Sequence, residues 1–204
     1  MKAPLIAKPD LTTKQDRRDA LVDLMADHLL AHGLGAASLR PLAAAAGTSD
    51  RMLLYYFADK EAILTAVFGR IAERFAPLLA GGETGPVSPA ALRARLWRQF
   101  RAEAAQPFIR LYLELCMAAC RGEQPHRMVA AGMAEAFLAF AGAQLAVADE
   151  AERAVQAALV VAQVDGLLLL DGIGLSAITH ESARWGVPPV AQGTLPHNDP
   201  KSRN

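Results

Sequence analysis

Residues 38–57, SLRPLAAAAGTSDRMLLYYF, leave the chain few ways to fold. Two short helix-length runs flank Gly47, Thr48 and Ser49. Ser38 suits the N-cap of the first run, because its side-chain oxygen can accept from the orphan amides of a helix start. Pro41 would fall at the third helical position, where the ladder needs no backbone N–H, although it disfavours helical geometry at Arg40. Ser49 suits the N-cap of the second run, and Asp50 complements the dipole there. Small residues at 43–46 allow close approach, and Gly47 supplies the freedom a tight turn needs. A short helix, a turn and a second short helix make helix-turn-helix spacing.

The second run carries two of the chain's three tyrosines. A helical wheel divides it. Leu53 and Phe57, four apart, point to a core together with Met52. Asp50, Arg51, Leu54 and Tyr55 take the opposite side, with Tyr56 between. Arg51 is the side-chain type best matched to guanine O6 and N7, and tyrosine hydroxyls can bond phosphate.

Helical periodicity organises the remainder. Thr12 and Gln15 fit a capping box opening a first helix. Leu21, Leu24, Met25 and Leu29 share one face, with His28 beside them, and Asp16, Asp19, Asp23 and Asp27 line another. Asp59 caps a long helix carrying Leu64, Val67, Phe68, Ile71, Phe75 and Leu78. A loop is expected at 80–89, then helices over 90–104, 107–121, 125–147 and 150–178, and a short piece over 180–186. No strand-like alternation is found. The expected fold is all-α: an N-terminal three-helix helix-turn-helix domain over 12–58 and a larger helical bundle over 59–186. A flexible arm at 1–11 and a flexible, proline-rich tail at 187–204 flank them.

The totals narrow the function classes. Charges balance to a net of zero and the pI is about 7.0. That disfavours broad electrostatic binding to nucleic acid or anionic membrane, and leaves room for a local basic face. The apolar window 155–178 is long enough to span a bilayer, but it contains Gln163, Asp165 and Asp171. Each mid-membrane Asp would cost about 2.5–3.5 kcal/mol, so a buried helix is expected and no membrane partner. The first residues carry two prolines and no long apolar core, unlike a signal peptide. Cys116 and Cys120 read as two buried thiols of a reducing compartment, with redox or metal sensing beside Glu123 and His126 as the alternative. His28 and His32 lack a third ligand nearby in sequence. No nucleophile elbow, HExxH, Walker loop or glycine fingerprint is present. No enzyme, cofactor or metal is therefore expected.

Residues 38–64, SLRPLAAAAGTSDRMLLYYFADKEAIL, resemble the DNA-binding signature of the TetR family of transcriptional regulators. The shared pattern is a capped helix, Ala–Gly–small–Ser, three variable residues, an apolar–aromatic run ending in Phe, a lysine shortly after, and an apolar helix. The resemblance implies a cytoplasmic homodimer on double-stranded, palindromic operator DNA, probing it with Ser38, Arg40, Thr48, Ser49, Asp50, Arg51, Leu54, Tyr55, Tyr56 and Lys60. Ser38 and Arg40 would touch phosphate and base edges. Tyr55, Tyr56 and Lys60 would bind phosphate. Leu54 departs from the pattern, standing where the family commonly has a tyrosine. Contact with a thymine methyl and simple cover for its neighbours both remain open. Asp50 is open between helix capping and accepting from a cytosine amine.

The resemblance also implies a repressor released by a small, mostly apolar effector, and dimerisation through the last two helices. Trp97, Phe100, Tyr112, Cys116, Met117, Met133, Phe137 and Gln163 are the expected effector-binding residues. Aromatic and flexible apolar side chains of this kind line pockets, and they fill plain cores equally well. Glu114, Gln163 and Asp165 interrupt apolar runs and each needs a partner if buried. A ligand hydroxyl or amine, Arg101 or Arg110, or a dimer seam beside Gly166, Gly172 and Gly174 would serve. A helical small-molecule-binding or thiol- or metal-sensing protein with a degenerate helix-turn-helix is the rival reading.

Overall fold

The computed structural model describes residues 13–80 and 85–186. The expected arm and tail, and residues 81–84 of the expected loop, lie outside them. The described residues form α1 (Lys14–His32), α2 (Leu39–Ala45), α3 (Asp50–Tyr56), α4 (Lys60–Ala80), α5 (Pro89–Arg101), α6 (Gln106–Cys120), α7 (His126–Ala143), α8 (Glu150–Gly172) and α9 (Ser176–Arg184). Short 3-10 turns precede α2 and α6. The only β-type pairing among the described residues is an isolated parallel bridge between Val87 and Leu145.

Local chemistry accounts for the helix ends. The capping box lies one residue later than the sequence suggests: Thr13 Oγ1 accepts from the Asp16 amide at 3.0 Å, and Asp16 returns the contact to the Thr13 amide at 2.9 Å. Gln15 instead bonds Asp19. Ser38 occupies the α2 cap with extended backbone but makes no side-chain cap bond. Ser49 accepts from the Met52 amide and Asp59 from the Ala62 amide.

Two corrections concern the C-terminal helices. The expected 150–178 helix is two elements. It closes where Gly174, at φ +96°, lets Leu175 donate to Leu170 O and Gly174 to Asp171 O, a helix-ending pattern that needs a left-handed residue. The expected 125–147 helix ends at Ala143, where Val87 and residues 144–146 exchange backbone bonds.

Two apolar cores are stacked along α4. The first holds Met25 and Leu29 of α1, Leu42, Leu53, Phe57 and the first half of α4, closed by Leu111 and Leu115 of α6. The second packs α5, α7, α8 and α9 around Leu92, Leu96, Trp97, Val160 and Val164. The second half of α4 joins it through Phe75, Leu78 and Leu79. On α1, Leu24 is exposed and Val22 and Ala26 are buried in its place. Helix α8 has the length and composition of a membrane span, yet its buried face packs into this second core.

Candidate DNA-reading face and effector cavity

The turn between α2 and α3 is set by Gly47. With φ +63°, it lets Thr48 donate to Ala43 O at 2.9 Å and Gly47 to Ala44 O at 3.1 Å. Both bonds satisfy carbonyls that α2 would otherwise leave open. Leu53 at 0% and Phe57 at 4% exposure hold α3 against the first core. Arg51, Leu54 and Tyr55 stand on its exposed side, Asp50 and Tyr56 are half-buried, and Met52, expected in the core, is 42% exposed.

The two tyrosine rings meet edge to face at 5.2 Å, and Lys14 Nζ lies 4.4 Å from the Tyr55 ring centre. Arg18 covers the Phe57 ring at 4.6 Å. Both contacts are cation–π in kind, and both bring α1 cations to the edge of the α3 surface. Ser38, Arg40, Ser49 and Lys60 are exposed and Thr48 is half-buried. Arg40, Arg51 and Lys60 form no ion pair with any described residue.

The acidic stripe of α1 is neutralised by α4. Asp23 Oδ1 accepts from Arg70 at 2.6 Å and from Arg74 at 2.7 Å, Asp27 takes Arg74 at 2.7 Å, and Asp19 lies 3.8 Å from Arg70. Partial burial pushes the Asp23 carboxyl up, but the bonds and charges of the two arginines outweigh it and hold it below the usual carboxylate range. The clasp ties α1 to the helix that runs into the second core.

On another face of α4, Ile71, Phe75 and Leu79 line a cavity of about 450 Å³, with Phe100 from α5, Phe108 and Tyr112 from α6, Met133, Phe137 and Phe140 from α7, and Asp165 from α8. Its walls are almost wholly apolar. Phe75 stacks on Phe108 at 5.3 Å and lies 5.7 Å from Phe100. Tyr112 donates its hydroxyl to Asp165 Oδ2 at 3.1 Å, while Asp165 Oδ1 is buried without a partner. Burial pushes the Asp165 carboxyl up, and the Tyr112 bond only partly offsets this. Burial, then the Asp165 charge, pushes the Tyr112 phenol up far enough to keep it protonated.

Of the eight residues expected at an effector, Phe100, Tyr112, Met133 and Phe137 line this cavity. The other four lie elsewhere. Trp97 is buried in the second core, with Arg101 over its ring at 5.6 Å and His180 edge-on at 5.9 Å. Cys116 is half-buried with its thiol against the Tyr112 side chain. Met117 is exposed and borders a shallow groove with Leu34, Glu114 and His126. Gln163 is exposed and accepts from Arg93 at 3.0 Å; the same guanidinium also bonds Ala183 O and Trp185 O, clasping α8 to α9. Arg101 is spoken for by Asp171 at 2.5 Å, and Glu114 by the Leu34 amide at 2.5 Å. Asp165 is the residue the sequence flagged as in need of a partner without placing it in the cavity.

A helix-turn-helix with an exposed, cation-bearing second helix, joined to a helical domain that encloses an apolar cavity, is the architecture of a DNA-binding regulator. Residues 25–67 match the model of bacterial regulatory proteins of the tetR family. That match covers α2, α3 and the adjoining halves of α1 and α4, and it is this helix-turn-helix segment that is similar to the tetR family.

Solved structures share its architecture. A Rhodococcus protein described as a TetR-family transcriptional regulator is 22% identical, with TM-score 0.60 over 83% of this chain and 93% of that one. A transcriptional regulator from Saccharomonospora viridis, in complex with choline, is 15% identical, with TM-score 0.59 over 83% and 92%. The multidrug binding protein EbrR, complexed with imidazole, is 22% identical, with TM-score 0.56 over 86% and 97%. At these identities the likeness is one of fold. No curated protein sequence matches the chain.

Proposed function

We propose that the protein is a repressor that binds a palindromic operator as a homodimer and is released by a small, mostly apolar molecule entering the α4–α8 cavity. The observation that carries this reading is the arrangement of α4. One face is clasped to α1 by Arg70 and Arg74, and another walls the cavity through Ile71, Phe75 and Leu79. An occupant that displaces this helix would move α1 and, with it, the α3 surface.

On that surface Thr48, Ser49, Asp50, Arg51 and Leu54 would read the major groove. Ser38, Arg40, Tyr55, Tyr56 and Lys60 would meet phosphates and neighbouring base edges. The dimer would form through α8, α9 and the turn between them, where Val155, Leu159, Leu169, Ile173 and Ile178 are exposed. Gly166 is exposed on the same helix, and apolar patches of this kind serve association. A two-fold pair would set its recognition helices about 34–36 Å apart, one turn of DNA. Such a regulator works in the cytoplasm. The choline and imidazole complexes of similarly folded proteins support a small-molecule role for the cavity.

Selection of bound duplexes from a random pool by the purified protein tests the reading. Enrichment of a palindrome with half-sites one turn apart is expected. Recovery of no preferred sequence would instead fit a ligand-binding protein with a degenerate helix-turn-helix.

A further inference from the structure

We infer that the effector is a lipophilic amine, held as its ammonium cation between the aromatic walls of the cavity and the Asp165 carboxylate. This rests on the reading of the cavity as the effector site.

No Lys, Arg or His lines the cavity, so nothing there would balance an anionic guest, and Asp165 would repel one. The one charged group is Asp165, and its two oxygens differ. Oδ2 receives the Tyr112 hydroxyl; Oδ1 is shut from solvent and receives nothing. A buried polar atom without a partner is costly, and a carboxylate oxygen gains most from a charged donor. Arg101, the cation that could have reached α8 from α5, is committed to Asp171. Asp165 therefore has no cationic partner among the described residues.

The rest of the wall suits a cation with an apolar body. Phe75, Phe100, Phe108, Phe137 and Phe140 present rings to the space. Ring faces attract a desolvated ammonium, and rings and edges bury hydrocarbon without a polar cost. The volume of about 450 Å³ is in the usual range for small-molecule sites. A neutral alcohol could offer the Asp165 carboxylate a hydrogen bond only, whereas an ammonium adds the charge.

Titration calorimetry of the full chain at neutral pH with phenylbutylamine, phenylbutanol and phenylbutyrate separates the charge types on one skeleton. The amine is expected to bind about tenfold more tightly than the alcohol, and the acid not at all. Asp165→Asn keeps an acceptor for Tyr112 and should erase the amine's advantage over the alcohol. Acid binding as tight as amine binding, or an amine preference that survives Asp165→Asn, would overturn the proposal.

Ala136→Trp, or Ala72→Phe from the opposite wall, fills the space and separates the two layers. Either variant serves once its helical signal matches wild type. Charge-blind binding that is lost in the filled variant would overturn the amine assignment and keep the cavity as the effector site. Binding undiminished in the filled variant, or no binding by any of the three probes, would overturn both.

Discussion

Leu54 and Asp165 are the two residues whose chemistry runs against their surroundings. Leu54 is 46% exposed on α3, so truncating it removes little core. Leu54→Ala should shift folding stability by no more than about 0.5 kcal/mol. A loss of operator affinity in that variant would assign Leu54 to a thymine methyl; unchanged binding would leave it as cover for its neighbours.

Asp165 is a carboxyl whose pKa burial has raised. The folded state therefore holds its proton more tightly than the unfolded chain does. The sign follows: the empty protein loses stability as pH rises from the unfolded value, about 3.9, through the higher folded one. Asp165→Asn should remove that loss. Thermal melts of the empty protein should show the variant gaining at neutral pH, by about 2–4 °C for each kcal/mol recovered, and gaining little near pH 4. A variant less stable at neutral pH would contradict the burial argument.

Among the elements, α4 would carry the proposed coupling, and α1 is its first contact. Asp23 sits at the centre of their clasp with a depressed pKa. Its contribution is present above the unfolded carboxylate value, about 3.9, and is lost as pH falls through the lower folded value. Asp23 is substantially exposed, so solvent screening limits the contribution to about 0.5–1 kcal/mol. Asp23→Asn should melt a few degrees low at neutral pH and converge with wild type in acid. A constant difference across that range would place the effect elsewhere.

Element ends were legible in the sequence wherever a cap or a left-handed glycine marks them, as at Ser49, Asp59 and Gly47. They were missed where two neighbouring residues offer the same chemistry. Thr12 and Thr13 both precede a polar side chain by three positions, and only the fold selects the second. Leu24 and Met52 show a related limit. A wheel gives the angle of a side chain but not the edge of the neighbouring element that would cover it. The cavity was least legible because five helices build it. Trp97 and Phe100 are one turn apart and both buried, yet only Phe100 reaches the space. That distinction depends on where α4 and α7 arrive, which no local pattern encodes.

At the scale of the whole molecule, zero net charge and DNA binding are reconciled by placement. The α1 aspartates are paired with Arg70 and Arg74, while Arg40, Arg51 and Lys60 remain exposed near the helix-turn-helix. Operator binding should weaken with salt, by a log–log slope of about −0.9 for each phosphate neutralised, and a slope of zero would contradict a phosphate-contacting face. The α8–α9 surface makes its own prediction. Ile173→Glu places a charge in the proposed seam and should turn the dimer into monomer by sedimentation, with loss of operator binding. A variant that stays dimeric would move the seam elsewhere.

The central claim is that α3 reads DNA through side chains held out by Leu53 and Phe57. Its most direct test is the affinity of wild type and Arg51→Ala for the selected operator and for each single base-pair change within it. The account predicts that Arg51→Ala loses about 1–3 kcal/mol and its discrimination at one symmetric base position. Unchanged affinity together with unchanged base preference would contradict it.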